Sequence, residues 1–422
     1  MTERTLDSVS VAAVLLFGVA LATALLFILA YPIPEVQSDA VGYLELARNV
    51  AAGKGFTQDG VTPMVYRPPL FSALLGGWFF LTGTSSPLSA AVFQSLEHAA
   101  SVLVAFLLFL ELTPSLAWAV GASLFLAVNP LLVTRVVFVL QEPTLLLFTT
   151  LAVWFSVCWI RNPSTPRAML AGAGWGLCTL AKVVAGFAPF LLLAMRFLPG
   201  RLRREWRRTE AAVLLLCFVA VVAPWTVRNY VLFHRFIPVN GQGEGMLAWN
   251  VSHAEIPGER PGSEYSAEVY RKGLSEGERK ALLWRYVFDH PAYFFGYRIA
   301  RNAIHFGAPP RGWWDARGLM RPGEHRLQFW ILSCLFHIPL YLMFLLRSWQ
   351  VIRGRASPAL GFLVFFYWVY WIQHALMWGD PRFGLAVYPL LVAMTLPLSP
   401  GKTMAERSAR REDQYLREAG RA

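Results

Sequence analysis

Residues 11–30, VAAVLLFGVALATALLFILA, form an apolar run with no charged side chain. A helix of about 20 apolar residues is long enough to cross the ~30 Å hydrocarbon core of a bilayer. The whole chain has the same character, with 56% hydrophobic and 14% aromatic residues and a mean hydropathy of +0.45. Soluble domains contain about 45–50% apolar residues. The sequence therefore predicts a membrane protein.

Apolar runs of similar length recur along the chain, which predicts an all-α polytopic membrane protein with about ten transmembrane helices. Lys182 and Gly186 lie in the middle of residues 167–198, where no loop is evident, so this stretch could be two spans or one long or broken helix. The predicted spans are 11–30, 86–110, 115–134, 143–160, 167–182, 183–198, 210–224, 327–346, 357–376 and 384–399.

The spans divide the chain into six predicted regions. Residues 1–30 are an uncleaved N-terminal span, and 31–85 form a first outer loop with juxtamembrane helices. Residues 86–224 carry transmembrane helices, and 225–326 form a long outer loop with an interfacial helix at 284–306. The last regions are the C-terminal transmembrane helices, 327–399, and a basic cytoplasmic tail, 400–422.

The net charge of +12 is explained by membrane topology. With the N-terminus inside, eighteen Lys and Arg fall in segments predicted inside and six in short segments predicted outside. Cytoplasmic loops carry this excess of Lys and Arg. Both termini are therefore predicted in the cytoplasm of a bacterial-type plasma (inner) membrane, with lipids as partners and no nucleic acid.

Common soluble-protein sites are not supported by the sequence. All four cysteines, Cys158, Cys178, Cys217 and Cys334, lie in predicted spans, which argues against disulfides and zinc knuckles. The chain has no GxGxxG, P-loop or DxD motif, so no nucleotide cofactor is expected.

The first outer loop contains SDAVGYLELARNVAAGKGF (38–56), an amphipathic pattern that predicts a surface helix with Asp39 in its first turn. Asp39 could act simply as a capping acid next to Ser38, since helix N-termini favour acids. YRPPLFSALLGGWFFLTG (66–83) predicts a second surface or re-entrant helix, which follows Arg67 and two prolines.

Further polar side chains fall at the predicted outer ends of later spans: Glu142, Lys182, Arg228, His374, Asp380 and Arg382. Any one long cation could snorkel to the membrane surface. Acids and cations that converge on one face indicate a site for an anionic head group. Glu97 and His98 lie within a predicted span and could hydrogen-bond between helices or act in a site.

Five motifs occur in series: SDAVGYLELARNVAAGKGF followed by YRPPLF, then QEPTLLLF, GLCTLAK, PWTVRNYVLFHRFIPV and DPRFGLAVYPLL. At these residues the chain resembles the polyprenyl-phosphate-dependent GT-C glycosyltransferases, in particular bacterial relatives of protein O-mannosyltransferases and the lipid A aminoarabinose transferase. The resemblance spans about residues 30 to 395. It implies a GT-C-type fold and inverting transfer of one hexose or pentose from a polyprenyl-phosphate donor to an envelope acceptor, which could be a glycan, a lipid or a protein, at the outer face.

The resemblance also implies roles for individual residues. Asp39 would be the catalytic general base or a ligand of a metal that binds the acceptor. Arg67 would hold the donor phosphate. The further phosphate-binding candidates are Arg382, Lys182 and Arg228, and Glu142 and Tyr66 would support the site.

Some relatives bind a divalent metal, for which Glu142 and His374 are the candidate ligands here. One departure from the family pattern concerns Asp39, which Ala40 follows where the mannosyltransferases have two adjacent acids. This favours the single-acid branch and disfavours a protein acceptor.

Two other classes are compatible with many spans and charged groups. A transporter or flippase for an anionic lipid-linked substrate should show an internal repeat, and none is evident. An envelope assembly factor would leave the set of Asp39, Arg67 and Arg382 unexplained.

The predicted topology is tested by cysteine labelling. Cysteines placed at Asp59 or Gly243 should react with an impermeant maleimide added to intact cells, whereas cysteines at Gly200 or Gly401 should not. Labelling of the opposite pair would invert the topology and move the site to the cytoplasmic face.

Overall fold

A computed structural model of the protein describes residues 3–31, 33, 35–308 and 326–397. Within these ranges the chain is almost entirely helical, and its extended segments pair only at a bridge between Thr57 and Pro63. The predicted all-α class is confirmed. Predictions for residues 309–325, the end of the last span at 398–399 and the basic tail at 400–422 lie outside the described residues.

The described part of the chain contains both long and short helices. The α-helices, in order, are α1 (Glu3–Ala30), α2 (Asp39–Ala51), α3 (Leu70–Thr82), α4 (Pro87–Leu112), α5 (Leu116–Ala127), α6 (Pro130–Val133), α7 (Glu142–Arg161), α8 (Thr165–Ala181), α9 (Ala188–Ala194), α10 (Arg208–Phe233), α11 (Gly243–Ser252), α12 (Gly262–Arg271), α13 (Glu276–Asp289), α14 (Arg298–Gly307), α15 (Arg326–Ile352), α16 (Pro358–Leu376), α17 (Pro381–Gly384) and α18 (Tyr388–Ala393). Helical turns of other types occupy Thr134–Val137, Val183–Phe187, Ala292–Tyr297 and Leu385–Val387.

Six of the described helices are long and apolar enough to cross a membrane: α1, α4, α7, α10, α15 and α16. A seventh span results if α5 and residues 130–137, which bend by 46°, count as one. The chain is therefore a multi-pass membrane protein, but the predicted number of about ten is not confirmed. The continuous apolar stretch at 167–198 is broken after α8, because Lys182 has an extended backbone.

The segment between α10 and α15, which is predicted to lie outside, contains short helices rather than one long interfacial helix. The predicted helix at 284–306 is divided at His290, where α13 has ended, and a π-helical turn precedes α14. Pro291 explains the break, since proline lacks the N–H that would continue the helical hydrogen bonds.

Neighbouring helices pack in sequence, with α4 against α1 and α7, and α8 against α7 and α10. Glycines allow α8 and α10 to approach closely, as small residues do in membrane helix pairs. A methyl group on Gly172 would lie 2.1 Å from the Leu214 carbonyl oxygen, and one on Gly176 would lie 2.7 Å from the Val221 Cβ. This packing fixes the end of α8, where Lys182 lies.

Gly172→Ala should therefore force α8 and α10 apart and lower the midpoint of thermal unfolding in detergent. Overpacking typically costs ~1–3 kcal/mol. Gly121→Ala is the matched control, because a methyl group on Gly121 of α5 meets no atom within 4 Å and alanine favours a helix over glycine. Equal midpoints for the two variants would show that the close approach of α8 and α10 is not limiting.

Candidate active site

The ends of four helices bring charged side chains together. Asp39 and Glu142 are the first residues of α2 and α7, where the helix dipole favours an acid. Lys182 directly follows α8, and Arg382 lies in the first turn of α17. These four side chains, together with those of Arg67 and Asp380, form a group of six that we call the charged cluster.

The Asp39 carboxylate lies between two guanidinium groups. Its Oδ1 is 3.2 Å from Nη2 of Arg67, and its Oδ2 is 3.5 Å from Nη2 of Arg382. The Asp39 side chain is 43% exposed, whereas Arg67 and Arg382 are 12% and 19% exposed. The Ser38 side chain makes no capping hydrogen bond. The Asp39 carboxylate is therefore accessible to solvent, whereas the two guanidinium groups that it contacts are largely buried.

Helix α2 provides the surface on which Arg67 lies. A methyl group on Gly42 would lie 2.8 Å from the Arg67 Nε, so glycine leaves room for the guanidinium. The Tyr43 ring packs beneath it, with the Arg67 Cζ 4.3 Å from the ring centroid. Burial raises the pKa of the Tyr43 phenol, which stays neutral at physiological pH. The position of Arg67 is thus set by residues one turn after Asp39.

Arg382 is surrounded by carboxylates. Its backbone N–H donates to Oδ1 of Asp380 at 2.9 Å, which caps α17. Its Nε lies 3.6 Å from Oε1 of Glu142 and 3.8 Å from Oδ2 of Asp380. Together with Asp39, three acids share this guanidinium and hold it in place.

Lys182 contributes a buried ammonium group to the charged cluster. Its Nζ lies 3.2 Å from the centroid of the Phe383 ring, and no residue in the described part of the chain hydrogen-bonds to it. The same holds for Nε of Arg67, Nε of Arg382 and Oε2 of Glu142. Buried polar atoms nearly always have a partner. Four such atoms in one cluster leave hydrogen-bonding capacity that a polar ligand can use.

Two predicted site residues make their contacts elsewhere. Arg228 donates to the Met64 carbonyl oxygen at 2.9 Å and to Oδ1 of Asn229 at 3.0 Å, so it holds the first outer loop against α10. Tyr66 is 45% exposed, and a methyl group on Gly245 of α11 would lie 3.1 Å from its hydroxyl oxygen. Tyr66 therefore links the first outer loop to the long outer segment.

The candidate metal ligands are engaged in other contacts. The buried His374 lies with Nδ1 2.8 Å from the Tyr370 carbonyl oxygen, and its ring stacks on Phe306 at 5.0 Å. Glu142 pairs with Arg382. Within the described ranges, no three His, Cys, Asp or Glu side chains come together as metal ligands. Glu142 and His374 do not fit a metal site here.

The intramembrane polar pair of α4 connects helices. The Thr144 hydroxyl donates to Oε1 of Glu97 at 2.5 Å, and Nε2 of His98 lies 3.2 Å from the Ala127 carbonyl oxygen. Thr144 is two residues after Glu142, so the bond to Glu97 fixes the start of α7. This is the structural role that the sequence left open for Glu97.

Comparison with known proteins agrees with this architecture. Residues 66–227 match the family model described as dolichyl-phosphate-mannose-protein mannosyltransferase. An Archaeoglobus fulgidus oligosaccharyltransferase tethered to an acceptor peptide with an NVT sequon is similar over 90% of this chain, with a TM-score of 0.54 and 14% identity. The chain has a GT-C-type fold. The match to the family model includes Arg67, Glu142 and Lys182.

The chain spans about half the length of the oligosaccharyltransferase, covering 49% of that chain. A second structure of the same enzyme, in complex with zinc and sulfate, has a TM-score of 0.52 and 15% identity over 89% of this chain and 48% of that one. ArnT from Cupriavidus metallidurans, bound to undecaprenyl phosphate, has a TM-score of 0.44 and 14% identity over 94% of this chain and 78% of that one. No curated protein sequence matched significantly.

Proposed function

We propose that the protein is a glycosyltransferase that moves one sugar from a polyprenyl-phosphate donor to an envelope acceptor, with inversion, at the outer face of the plasma membrane. The observation that carries the proposal is the Asp39 carboxylate held between Arg67 and Arg382, with the buried Lys182 ammonium in the same cluster. The family match supports a lipid-phosphate donor, since it includes two of these cations.

The cations of the charged cluster suit a phosphate. A guanidinium stays charged and can donate two hydrogen bonds to neighbouring oxygens. In the structure the Asp39 carboxylate lies between the two guanidinium groups. A phosphate offers more negative charge and more oxygens, so we propose that it replaces the carboxylate there. Donor binding then frees Asp39 on the exposed side of the site.

The freed Asp39 serves as the general base. It accepts the proton of an acceptor hydroxyl as that oxygen attacks the anomeric carbon, and the bond between this carbon and the phosphate oxygen breaks. The polyprenyl phosphate leaves with the bonding electron pair, and Arg67, Arg382 and Lys182 stabilise its growing charge. Attack from the side opposite the leaving group inverts the configuration.

The other residues of the proposal have supporting roles. Glu142 and Asp380 hold Arg382, so its guanidinium is preorganised before the phosphate arrives. Arg228 and Tyr66 stabilise the first outer loop, which carries Arg67. A divalent cation at the acceptor side stays a prediction to which we assign no ligand, although one structure of this fold is a zinc and sulfate complex.

The phosphate role of Arg67 is tested by Arg67→Ala and Arg67→Lys. Purified protein in nanodiscs is titrated with polyprenyl phosphate. Losing one buried, charged hydrogen-bond partner costs about 2–5 kcal/mol, so Arg67→Ala should weaken binding about thirty-fold or more. Arg67→Lys keeps the charge but loses the two-pronged geometry of the guanidinium, so its affinity for polyprenyl phosphate should lie between those of wild type and Arg67→Ala.

Arg235→Ala is the control for this series, because Arg235 makes an exposed two-pronged ion pair with Glu276, at 2.6 and 2.7 Å, outside the charged cluster. It should bind like wild type. If Arg67→Ala bound as tightly as this control, Arg67 would not be a phosphate ligand, and the donor site would have to be rebuilt around Lys182 and Arg382.

A comparison of membranes separates a transferase from a transporter. Mass spectrometry of membranes from cells with and without the protein should show an acceptor that gains one sugar and a donor that loses it. A transporter or flippase would change the location of the lipid-linked substrate and leave its covalent structure intact.

A further inference from the structure

Three aromatic rings meet between the long outer segment and the loop that precedes Arg382. The His253 ring stacks on Trp249 of α11, with centroids 3.7 Å apart and planes 28° from parallel. Trp378 meets Trp249 edge-on at 5.4 Å and His253 at 6.4 Å. We call these three side chains the aromatic shelf. The charged cluster does not include them.

Polar contacts hold the aromatic shelf in place. Nδ1 of His253 lies 2.9 Å from the Trp249 carbonyl oxygen and 3.0 Å from the Ser252 hydroxyl oxygen. A carbonyl oxygen can only accept, so in the tautomer that donates to it Nε2 is the acceptor nitrogen. Arg298 donates to the backbone and side-chain oxygens of Asn250, at 2.8 and 2.7 Å. Its guanidinium carbon lies 6.0 Å from the Trp378 ring centroid. A surface fixed in advance binds with less loss of side-chain entropy.

The aromatic shelf lies near the proposed phosphate site. Trp378 is four residues before Arg382, and four residues span at most about 14 Å of extended chain. The loop is also held against α14, since the Asn302 amide donates to the Ala375 carbonyl oxygen at 3.1 Å and Gly379 packs against the Asn302 backbone. The aromatic shelf and the proposed phosphate site are therefore separated by a distance that two or three linked sugar rings can span.

The surroundings of the aromatic shelf are polar. Trp249 is 45% exposed and His253 is exposed. The same outer segment carries exposed ion pairs, Arg260–Glu268 at 2.7 Å and Lys272–Glu268 at 2.5 Å, which would be costly in hydrocarbon. Aromatic rings next to hydrogen-bonding groups at a water-facing surface are amphipathic.

A second set of exposed rings on this segment differs from the aromatic shelf. Trp284 stacks on Phe288 at 5.6 Å, and Phe288 meets Phe295 at 6.0 Å, so this row has no histidine or arginine in its ring contacts. Such a row is typical of side chains at the membrane interface. It provides an internal control for the effect of removing an exposed tryptophan.

We propose that the aromatic shelf is a binding subsite for a sugar ring. The apolar C–H face of the sugar packs on Trp249 and Trp378, and a sugar hydroxyl donates to Nε2 of His253. The placement of the subsite relative to the reaction rests on the proposed function, because only sugar transfer requires a sugar there. The ring belongs either to the donor or to a glycan acceptor, and both have the same C–H and hydroxyl chemistry.

The test is saturation-transfer NMR on the full-length protein in nanodiscs, with free glucose, galactose, mannose, arabinose and N-acetylglucosamine as probes. Ring C–H protons of at least one sugar should receive saturation. Trp249→Ala and Trp378→Ala should each weaken that binding by about tenfold, and Trp249→Phe should restore much of it. Trp284→Ala should bind like wild type. Unchanged thermal unfolding of each variant shows that its fold is intact.

Further measurements identify whether the donor or the acceptor carries the sugar, and whether the aromatic shelf lies in the membrane interface instead. Displacement of the bound sugar by a polyprenyl-phosphate sugar assigns the subsite to the donor, and binding of both together assigns it to the acceptor. No saturation of any probe, or full saturation in both alanine variants, would overturn the proposal. Quenching of Trp249 and Trp378 by lipids brominated near the head group would also overturn it, since it would make the shelf part of the membrane interface.

This experiment is independent of the charged cluster. It needs no sugar transfer, so it can succeed even if Arg67→Ala leaves phosphate binding intact and the proposed function fails. Conversely, if Arg67→Ala loses phosphate binding but the wild-type protein binds no sugar, the proposed function stands and only the sugar subsite is excluded.

Discussion

One carboxylate shared by two guanidinium groups organises the site. Asp39 joins Arg67, in the same outer loop, to Arg382, near the C-terminal end of the described chain. The two cations would repel each other without the acid between them. Neighbouring residues serve the same arrangement: Gly42 leaves room for Arg67, and Glu142 and Asp380 hold Arg382. The proposed exchange of the carboxylate for a phosphate requires that contacts other than those to Asp39 fix the cations.

The fold supplies these contacts by ending helices at one place. Helices α2 and α7 begin there with an acid, and α8 stops there because Lys182 adopts an extended backbone. The bond from Thr144 to Glu97 fixes the first turn of α7 against α4. Close packing of Gly172 against α10 fixes α8. Helix ends have unpaired backbone groups and dipole charge, so they are suitable places for an ionic site.

Much of this was predictable from the sequence, because charged residues are rare in apolar runs. Asp39, Arg67, Glu142, Lys182 and Arg382 were each visible as charges at the predicted outer ends of helices, and the structure brings them together. The all-α class followed from the length of the apolar runs. The break at Lys182 could only be left open, since apolar residues continue on both sides of it.

Other features depend on tertiary contacts that no local pattern shows. Arg228 lies near the predicted end of a span, as Lys182 and Arg382 do, yet it reaches the Met64 carbonyl oxygen because the predicted first outer loop lies against α10. The space that Gly42 leaves for Arg67 exists only when α2 packs on the start of α3. The aromatic shelf joins rings more than a hundred residues apart, and in the sequence Trp249 and Trp378 resemble ordinary interfacial tryptophans.

The exchange of carboxylate for phosphate is tested most directly by the donor affinity of Asp39→Asn, measured in nanodiscs with polyprenyl phosphate beside Asp59→Asn, an acid of the same loop that bonds to its own turn. Asparagine cannot compete for the two guanidinium groups. The account predicts binding about fivefold tighter than wild type, from the loss of a partly exposed ion pair worth roughly 1 kcal/mol, together with loss of sugar transfer. Weaker phosphate binding in Asp39→Asn, or full transfer activity, would contradict it.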